Sequence, residues 1–208
     1  RILTSLADKH PHHVRTVESE GFACQQRQPV TAVDPREFDP AVYAPLVEQL
    51  EREGIAIRTL ESFEREGVEW LRPFYEMHCE IIQDVPMPEA FQPIPFDMFA
   101  KEVQDPKRYT LESKFVAVDG GRMVGVSELQ ANKADATVGH TMLTGVRRTH
   151  RRRKIATALK AAALGWAKSK GMRYVMTDNE EKNPMLDLNK QLGFRERYAF
   201  LQYAKDVD

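Results

Sequence analysis

Between residues 143 and 163 the chain reads Leu-Thr-Gly-Val-Arg-Arg-Thr-His-Arg-Arg-Arg-Lys-Ile-Ala-Thr-Ala-Leu-Lys-Ala-Ala-Ala. A short apolar segment, Met142 to Val146, enters a turn crowded by Arg147, Arg148, His150, Arg151, Arg152, Arg153 and Lys154, and the turn opens into an alanine- and leucine-rich helix. The first turn of a helix carries backbone N–H groups without intrahelical partners, and the aligned peptide dipoles add partial positive charge there. A phosphate at that end satisfies both, and guanidinium forks match its oxygens. The segment therefore predicts a strand, an anion cradle and a helix. A solvated basic run and a nucleic-acid patch are the other readings of the same residues. The whole chain has net charge -1 and pI about 6.7, so the positive charge is local and suits a small polyphosphate better than a long backbone.

The elements that must position this cradle follow from pattern and punctuation. Lys114 to Val118 and Met123 to Gln130 flank Asp119-Gly120-Gly121-Arg122, which predicts a hairpin. Val138 to Val146 returns as the strand entering the cation turn, and the helix Ile155 to Ser169 stops at Lys170-Gly171. Met172 to Thr177 is the next strand, Pro184 to Leu192 the next helix, and Phe194 to Tyr203 the closing strand. Upstream, Ile55 to Leu60 alternates as a strand. Trp70 to Ile82 places Leu71, Phe74, Tyr75, Cys79 and Ile82 at helical spacing. A Pro-rich loop over Val85 to Pro95 precedes a short helix from Phe96 to Val103. Its apolar residues Val85, Met87, Phe91 and Ile94 suit either core packing or a bound molecule with apolar surface.

The N-terminal stretch reads as a short buried strand, Arg1 to Leu6, then a loop, a helix from about His12 to Glu20, Gly21-Phe22, and a strand from Ala23 to Val33. Gly21-Phe22 matches Gly193-Phe194, and Leu3 to Leu6 sits where Val175 to Asp178 sits, so the two ends share a layout. Asp34 to Asp39 is a linker. Asp39-Pro40 then starts a helix that Gly54 ends, with Pro45 kinking it or delaying its start.

The 208 residues, 42% hydrophobic and 29% charged, are enough for one good core and part of another. No apolar run approaches the roughly 20 residues that cross a bilayer, and no secretory signal opens the chain, so a cytoplasmic location is expected. Cys24 and Cys79 read as reduced, buried thiols. His10, His12 and His13, without paired cysteines or carboxylates at ligand spacing, read as solvated loop residues, and no metal is expected.

Thr144-Gly145-Val146 followed by Arg151-x-x-Lys154-x-Ala156 at a helix start resembles the acyl-CoA pyrophosphate loop of the GNAT acetyltransferase superfamily, whose usual form is Gln/Arg-x-x-Gly-x-Gly/Ala. Arg173 to Asn179 resembles that family's next strand, and Asn183 to Phe194 its last helix and Gly-Phe turn. The resemblance covers roughly Ile55 to Lys205. Two positions depart from it: Lys154 stands where a Gly is usual, and Asn189 where many members carry a Tyr that protonates the leaving thiolate.

The resemblance implies an α/β (α+β) fold with a mixed, mainly antiparallel sheet flanked by helices, and acetyl transfer from acetyl-CoA to an amine in a ternary complex. It divides the chain into residues 1–36, the tail of a first lobe; residues 37–54, a connecting helix; and residues 55–208, the acyltransferase domain. The absent Met at position 1 agrees with such a tail. The implied cofactor contacts are Thr144, Gly145, Val146, Arg151, Arg152, Arg153, Lys154, Ile155, Ala156, Thr157, Asn179 and Asn183. Only backbone N–H groups are needed at the pyrophosphate, so Lys154 is expected to serve with a negative φ.

Transfer to an amine needs a base and a proton for the thiolate. Glu128, His140 and Asp178 are the candidate bases; Tyr198 or water is the candidate acid. The acceptor is expected to be a small-molecule amine or a peptide, with no nucleic-acid or membrane partner. An unpaired edge at residues 1–6 predicts pairing with another chain, as in a homodimer, or with further residues. The rival reading is a non-catalytic lobe that binds acyl-CoA.

Overall fold

The computed structural model describes residues 1–86 and 91–207. Two compact units form: residues 34–175, and residues 1–33 together with 176–208.

In the larger unit Asp39 caps a turn of 3-10 helix over Pro40–Tyr43, its carboxylate accepting from the Ala41 amide at 3.0 Å, and the turn leads into the helix that starts at Ala44. In chain order the described elements are β1 (Ile2–Ala7), α1 (Pro11–Ser19), β2 (Ala23–Val33), α2 (Ala44–Arg52), β3 (Ile55–Thr59), α3 (Leu60–Glu66), α4 (Leu71–Ile82), α5 (Phe96–Val103), β4 (Lys114–Asp119), β5 (Arg122–Ala131), β6 (Val138–Val146), α6 (Ile155–Ser169), β7 (Tyr174–Asp178), α7 (Pro184–Gln191) and β8 (Arg195–Lys205). This is the mixed α/β class expected, with antiparallel pairing dominant. Pro45 falls in the first turn of α2, where its missing N–H costs nothing, so it delays the helix rather than kinking it.

Strands β3, β4, β5 and β6 of the larger unit form an antiparallel meander. The β4–β5 turn is Asp119 to Arg122, with Gly120 and Gly121 both at positive φ, as a two-residue I′ hairpin requires. Phe74, Met77 and Ile81 on α4 pack with Leu60 and Phe63 of α3, Phe99 and Val103 of α5, and Val116 and Val126 of the sheet. The buried stripe of α4 is thus Phe74, Met77 and Ile81, whereas Leu71, Tyr75, Cys79 and Ile82, expected on the same face, are only partly covered. Helix α6 packs on β4, β5 and β6 through its buried small and apolar residues, including Ala158, Leu159, Ala163 and Leu164.

One irregularity in the meander matters for the site. Ser127 pairs with Thr144 but Leu129 with Thr141, so Glu128 on β5 faces two residues, Met142 and Leu143, on β6. This β-bulge interrupts the ladder and leaves one β6 residue without a β5 partner. Helix α3 was not foreseen: Thr59, read as strand, accepts from the Ser62 amide and caps a helix at Leu60.

In the smaller unit β8 lies between β1 and β2, antiparallel to both. Tyr203 on β8 is buried, its hydroxyl donating to Glu18 of α1 at 2.8 Å. The segments β1-α1-β2 and β7-α7-β8 do share a strand, short helix, positive-φ glycine and strand layout, with Gly21 and Gly193 in the turns. Strand β1 is not buried as expected: Ile2 and Leu3 are 48% and 63% exposed. A six-residue strand at a sheet border has only one neighbour to cover it. Cys24 is likewise exposed, not buried. His12 and His13 open α1 instead of lying in a loop.

Candidate active site

The cation turn folds differently from its sequence reading. Arg152 and Lys154 both adopt positive φ, +66° and +58°, and are the non-glycine residues so placed among the described residues. The expectation of a negative φ at Lys154 is therefore overturned. The left-handed region costs a non-glycine residue about 1 kcal/mol or more, and such backbone persists where the surroundings demand it. Alternating left- and right-handed residues turn successive N–H groups to one side, making an anion-binding nest. Here the two left-handed residues lead straight into the first turn of α6 at Ile155, Ala156 and Thr157, whose amides lack intrahelical partners, so the stretch is a candidate nest. Backbone geometry at Arg152 and Lys154 thus supplies what glycine supplies in the loop this segment resembles.

Most of the cations around that nest are already committed to carboxylates. Arg147 is buried, its Nε donating to the Met123 carbonyl at 2.9 Å and its fork pairing with Glu80 of α4. Arg148 reaches both oxygens of Asp84, Nε at 3.1 Å from each, and Arg151 pairs with the same carboxylate while its Nε donates to the Val146 carbonyl at 3.1 Å. The two guanidinium groups hold the Asp84 carboxyl at about 2, well below its ordinary range; the hydrogen bond from Arg148 is the largest cause. Arg153 donates to Glu53 at 2.8 Å. His150 Nε2 lies 3.2 Å from Asp119 Oδ2, which joins the turn to the β4–β5 hairpin. Among the described residues, Arg152 and Lys154 alone of the run's arginines and lysine have no carboxylate partner.

The same unit holds a cavity of about 420 Å³. Tyr75, His78 and Cys79 of α4 form one wall, Phe99, Glu102 and Val103 of α5 another, and Glu128, Gln130 and Met142 of the sheet the floor. Phe91, Ile94, Arg108, Tyr109 and Lys133 complete it. Phe91 and Ile94 come from the Pro-rich loop, whose Tyr75 contact is a hydroxyl donating to the Ile94 carbonyl at 2.8 Å. Met87, also expected there, lies outside the described residues.

Glu128 is the chemically distinctive residue of this cavity. It is 5% exposed, and its Oε1 has no hydrogen-bond partner among the described residues. A buried carboxylate oxygen in that condition is costly unless a ligand or water completes it. His78 Nε2 approaches to 3.6 Å, just beyond hydrogen-bond reach. The Tyr109 hydroxyl bonds to Glu128, and burial, followed by Glu128's charge, pushes the Tyr109 phenol well above its ordinary value, so it stays a donor. Lys114, fully buried, stands directly opposite Glu128 on β4.

The other nominated residues are not gathered here. His140 pairs across to Gln130 but is not among the cavity-lining residues. Tyr198 belongs to the smaller unit, where Lys9 lies over its ring at 4.4 Å. Asp178 ends β7, exposed, in that unit too. There, Asn183 caps α7 by accepting from the Met185 amide at 3.0 Å, and Asn179 accepts from the fully buried Asn189 at 2.6 Å. Thr144 Oγ1 lies 3.0 Å from Ser127 Oγ, and Gly145 and Val146 close the strand. Sequence reasoning missed Tyr109, Lys114 and the partnership of His78.

Residues 65–194 match the Acetyltransferase (GNAT) family. The chain belongs to that acetyltransferase family. No curated protein matches it. Among solved structures it is similar to a GCN5-related N-acetyltransferase from Sphaerobacter thermophilus, with 21% identity and TM-score 0.70 over 99% of this chain and 61% of that one. A tandem GNAT protein from the clavulanic acid biosynthesis pathway superposes at TM-score 0.65 and 17% identity, over 99% of this chain and 65% of that one. An N-acetyltransferase from Staphylococcus aureus Mu50 gives TM-score 0.56 and 16% identity over 71% of this chain and 96% of its own. The chain therefore spans about three-fifths of the length of the first of these, and at such identities the likeness is one of fold. No described helix is long and apolar enough to cross a membrane.

Proposed function

We propose that residues 34–175 bind acetyl-CoA at the nest and catalyse acetyl transfer to an amine held in the cavity, with Glu128 as general base. The observation that carries this reading is the buried Oε1 of Glu128 on the cavity floor, which has no hydrogen bond among the described residues. It lies at the bulge of β5 and β6, opposite Met142 and Leu143, and β6 runs on from there to Val146 and the cation turn.

Acetyl-CoA supplies an activated acetyl thioester. The residues fit it: the backbone amides from Arg152 to Ala156 would hold its pyrophosphate without needing side-chain charge, and the ladder interruption at Met142 and Leu143 would leave backbone polar groups for its extended arm. The acceptor's nitrogen forms the new bond to the acetyl carbon as the carbon–sulfur bond breaks. Its N–H proton passes to Glu128, and the departing thiolate takes a proton from water. The Tyr109 hydrogen bond fixes the Glu128 carboxylate so that Oε1 remains open to the acceptor.

The acceptor is a small-molecule amine or a peptide end whose neighbouring atoms meet Tyr75, Phe99, Tyr109 and Met142. The test is thiol release from acetyl-CoA by the full chain against a panel of primary amines, beside the Glu128→Gln variant. Amine-dependent release that the variant loses supports the reading. Binding of acetyl-CoA with no release for any amine would leave the acyl-CoA-binding lobe in its place.

A further inference from the structure

Lys114 is a fully buried lysine in a protein with thirty lysines and arginines, most of them at the surface. Its position is fixed from three sides. On β4 it is the direct partner of Glu128 in the antiparallel register, so the two side chains share one face of the sheet. Its Nζ donates to the Leu129 carbonyl at 2.7 Å, a carbonyl that also accepts from Ser113 at 2.6 Å. The Tyr109 ring lies 4.6 Å beneath the ammonium. The groups around this pair are Tyr109 from the segment before β4, His78 from α4 and Glu102 from α5. Arg108 and Lys133 line the same cavity as Glu128, but Lys114 is the cation that stands directly opposite it in the strand register and is itself buried.

We propose that Lys114 is the positioning residue of the candidate base: its buried ammonium holds Glu128 as a carboxylate on the cavity floor, in the charge state that can receive the acceptor's proton. The inference rests on the reading of Glu128 as base. A carboxylate taken from water without a counter-charge takes up a proton instead, and a protonated Glu128 cannot accept one. Lys114 is too deep to touch the acceptor and acts only through Glu128.

The arrangement has an upper pH limit. Burial pulls Lys114 down to about 8, with Glu128 acting the other way. Below that pH the ammonium is present; above it the counter-charge is lost.

Coupling between the two groups is reciprocal, so it can be read from the lysine without any turnover. The full chain is labelled with ¹⁵N-lysine, and the Lys114 signal, assigned by its loss in Lys114→Met, is titrated in the wild type and in Glu128→Gln. The expected result is a midpoint lower by about one pH unit or more in Glu128→Gln. An unmoved midpoint overturns the proposal, and this arm stands even if Lys114→Met does not fold. Where acetyl transfer is measurable, Lys114→Met raises the acidic limb of the kcat/KM profile, and Lys114→Arg restores it. Equal acidic limbs in Lys114→Met and the wild type overturn the proposal as well. If Glu128→Gln retains full acetyl transfer while the lysine midpoint falls, the pairing holds and the reading of Glu128 as base is what fails.

Discussion

Gly145 on β6 and Ile81 on α4 are packed so closely that a Cβ on the glycine would lie 2.2 Å from the isoleucine Cγ2. This contact sets how near α4 comes to the end of β6, and α4 also carries Glu80, which pairs with Arg147, and the cavity residues Tyr75 and His78. The glycine is required here by space, since its φ is not in the left-handed region.

Gly145→Ala is therefore expected to destabilise the fold by about 1–3 kcal/mol, the range for overpacking a filled core. Gly120→Ala meets nothing within 4 Å and is penalised only through its positive φ of 53°. Denaturant unfolding of both variants checks this: Gly145→Ala should lose more stability, and equal losses would contradict the packing account.

Glu128→Gln keeps shape and removes the proposed base. Acetyl transfer to the best amine found should fall about 10²- to 10⁴-fold, with acetyl-CoA affinity unchanged by calorimetry. A parallel loss of affinity would place Glu128 in cofactor binding instead.

Lys154 occupies a left-handed position that glycine adopts freely and a β-branched residue does not. Lys154→Gly should match or exceed the wild type in stability, while Lys154→Val should lose about 1 kcal/mol or more. Acetyl-CoA affinity should follow the same order if the nest is what binds the pyrophosphate. Val tolerated as well as Gly would mean that the positive φ is not required.

Asp84 is held near 2 by Arg148 and Arg151, and the sign of its pH effect follows. A depressed carboxyl contributes stability above its unfolded value, near 4, and loses it as pH falls toward 2. Thermal unfolding of the wild type should therefore decline between about pH 4 and pH 2 more steeply than that of Asp84→Asn. Asp84→Asn should also free both guanidinium groups for phosphate and tighten acetyl-CoA binding several-fold. Weaker binding would show that the carboxylate is needed to hold the turn.

Much of the fold was readable because its punctuation is local. Asp39-Pro40, Asn183-Pro184 and the Asp-Gly-Gly turn each fix an element boundary within a few residues. Glu128 was readable as a polar residue on an apolar strand. Lys114 was not, since a lysine at a strand's first position ordinarily reaches solvent, and here its ammonium is held by the Leu129 carbonyl and the Tyr109 ring, neither of which a spacing rule links to it. The arginine run misled for the same reason. Glu80 and Asp84 lie more than sixty residues from the guanidinium groups they pair with, and no spacing rule links them.

Those pairings govern how an anion in solution finds the protein. A bare run of six arginines and lysines would project a strong field and draw polyanions of every kind at rates that collapse in salt. With Arg147, Arg148, Arg151 and Arg153 each set against a carboxylate, long-range attraction is left chiefly to Arg152 and Lys154. If the nest holds a pyrophosphate as proposed, the encounter is expected to be slower and less sensitive to ionic strength than for a bare cationic run, with selection falling to short-range backbone contacts.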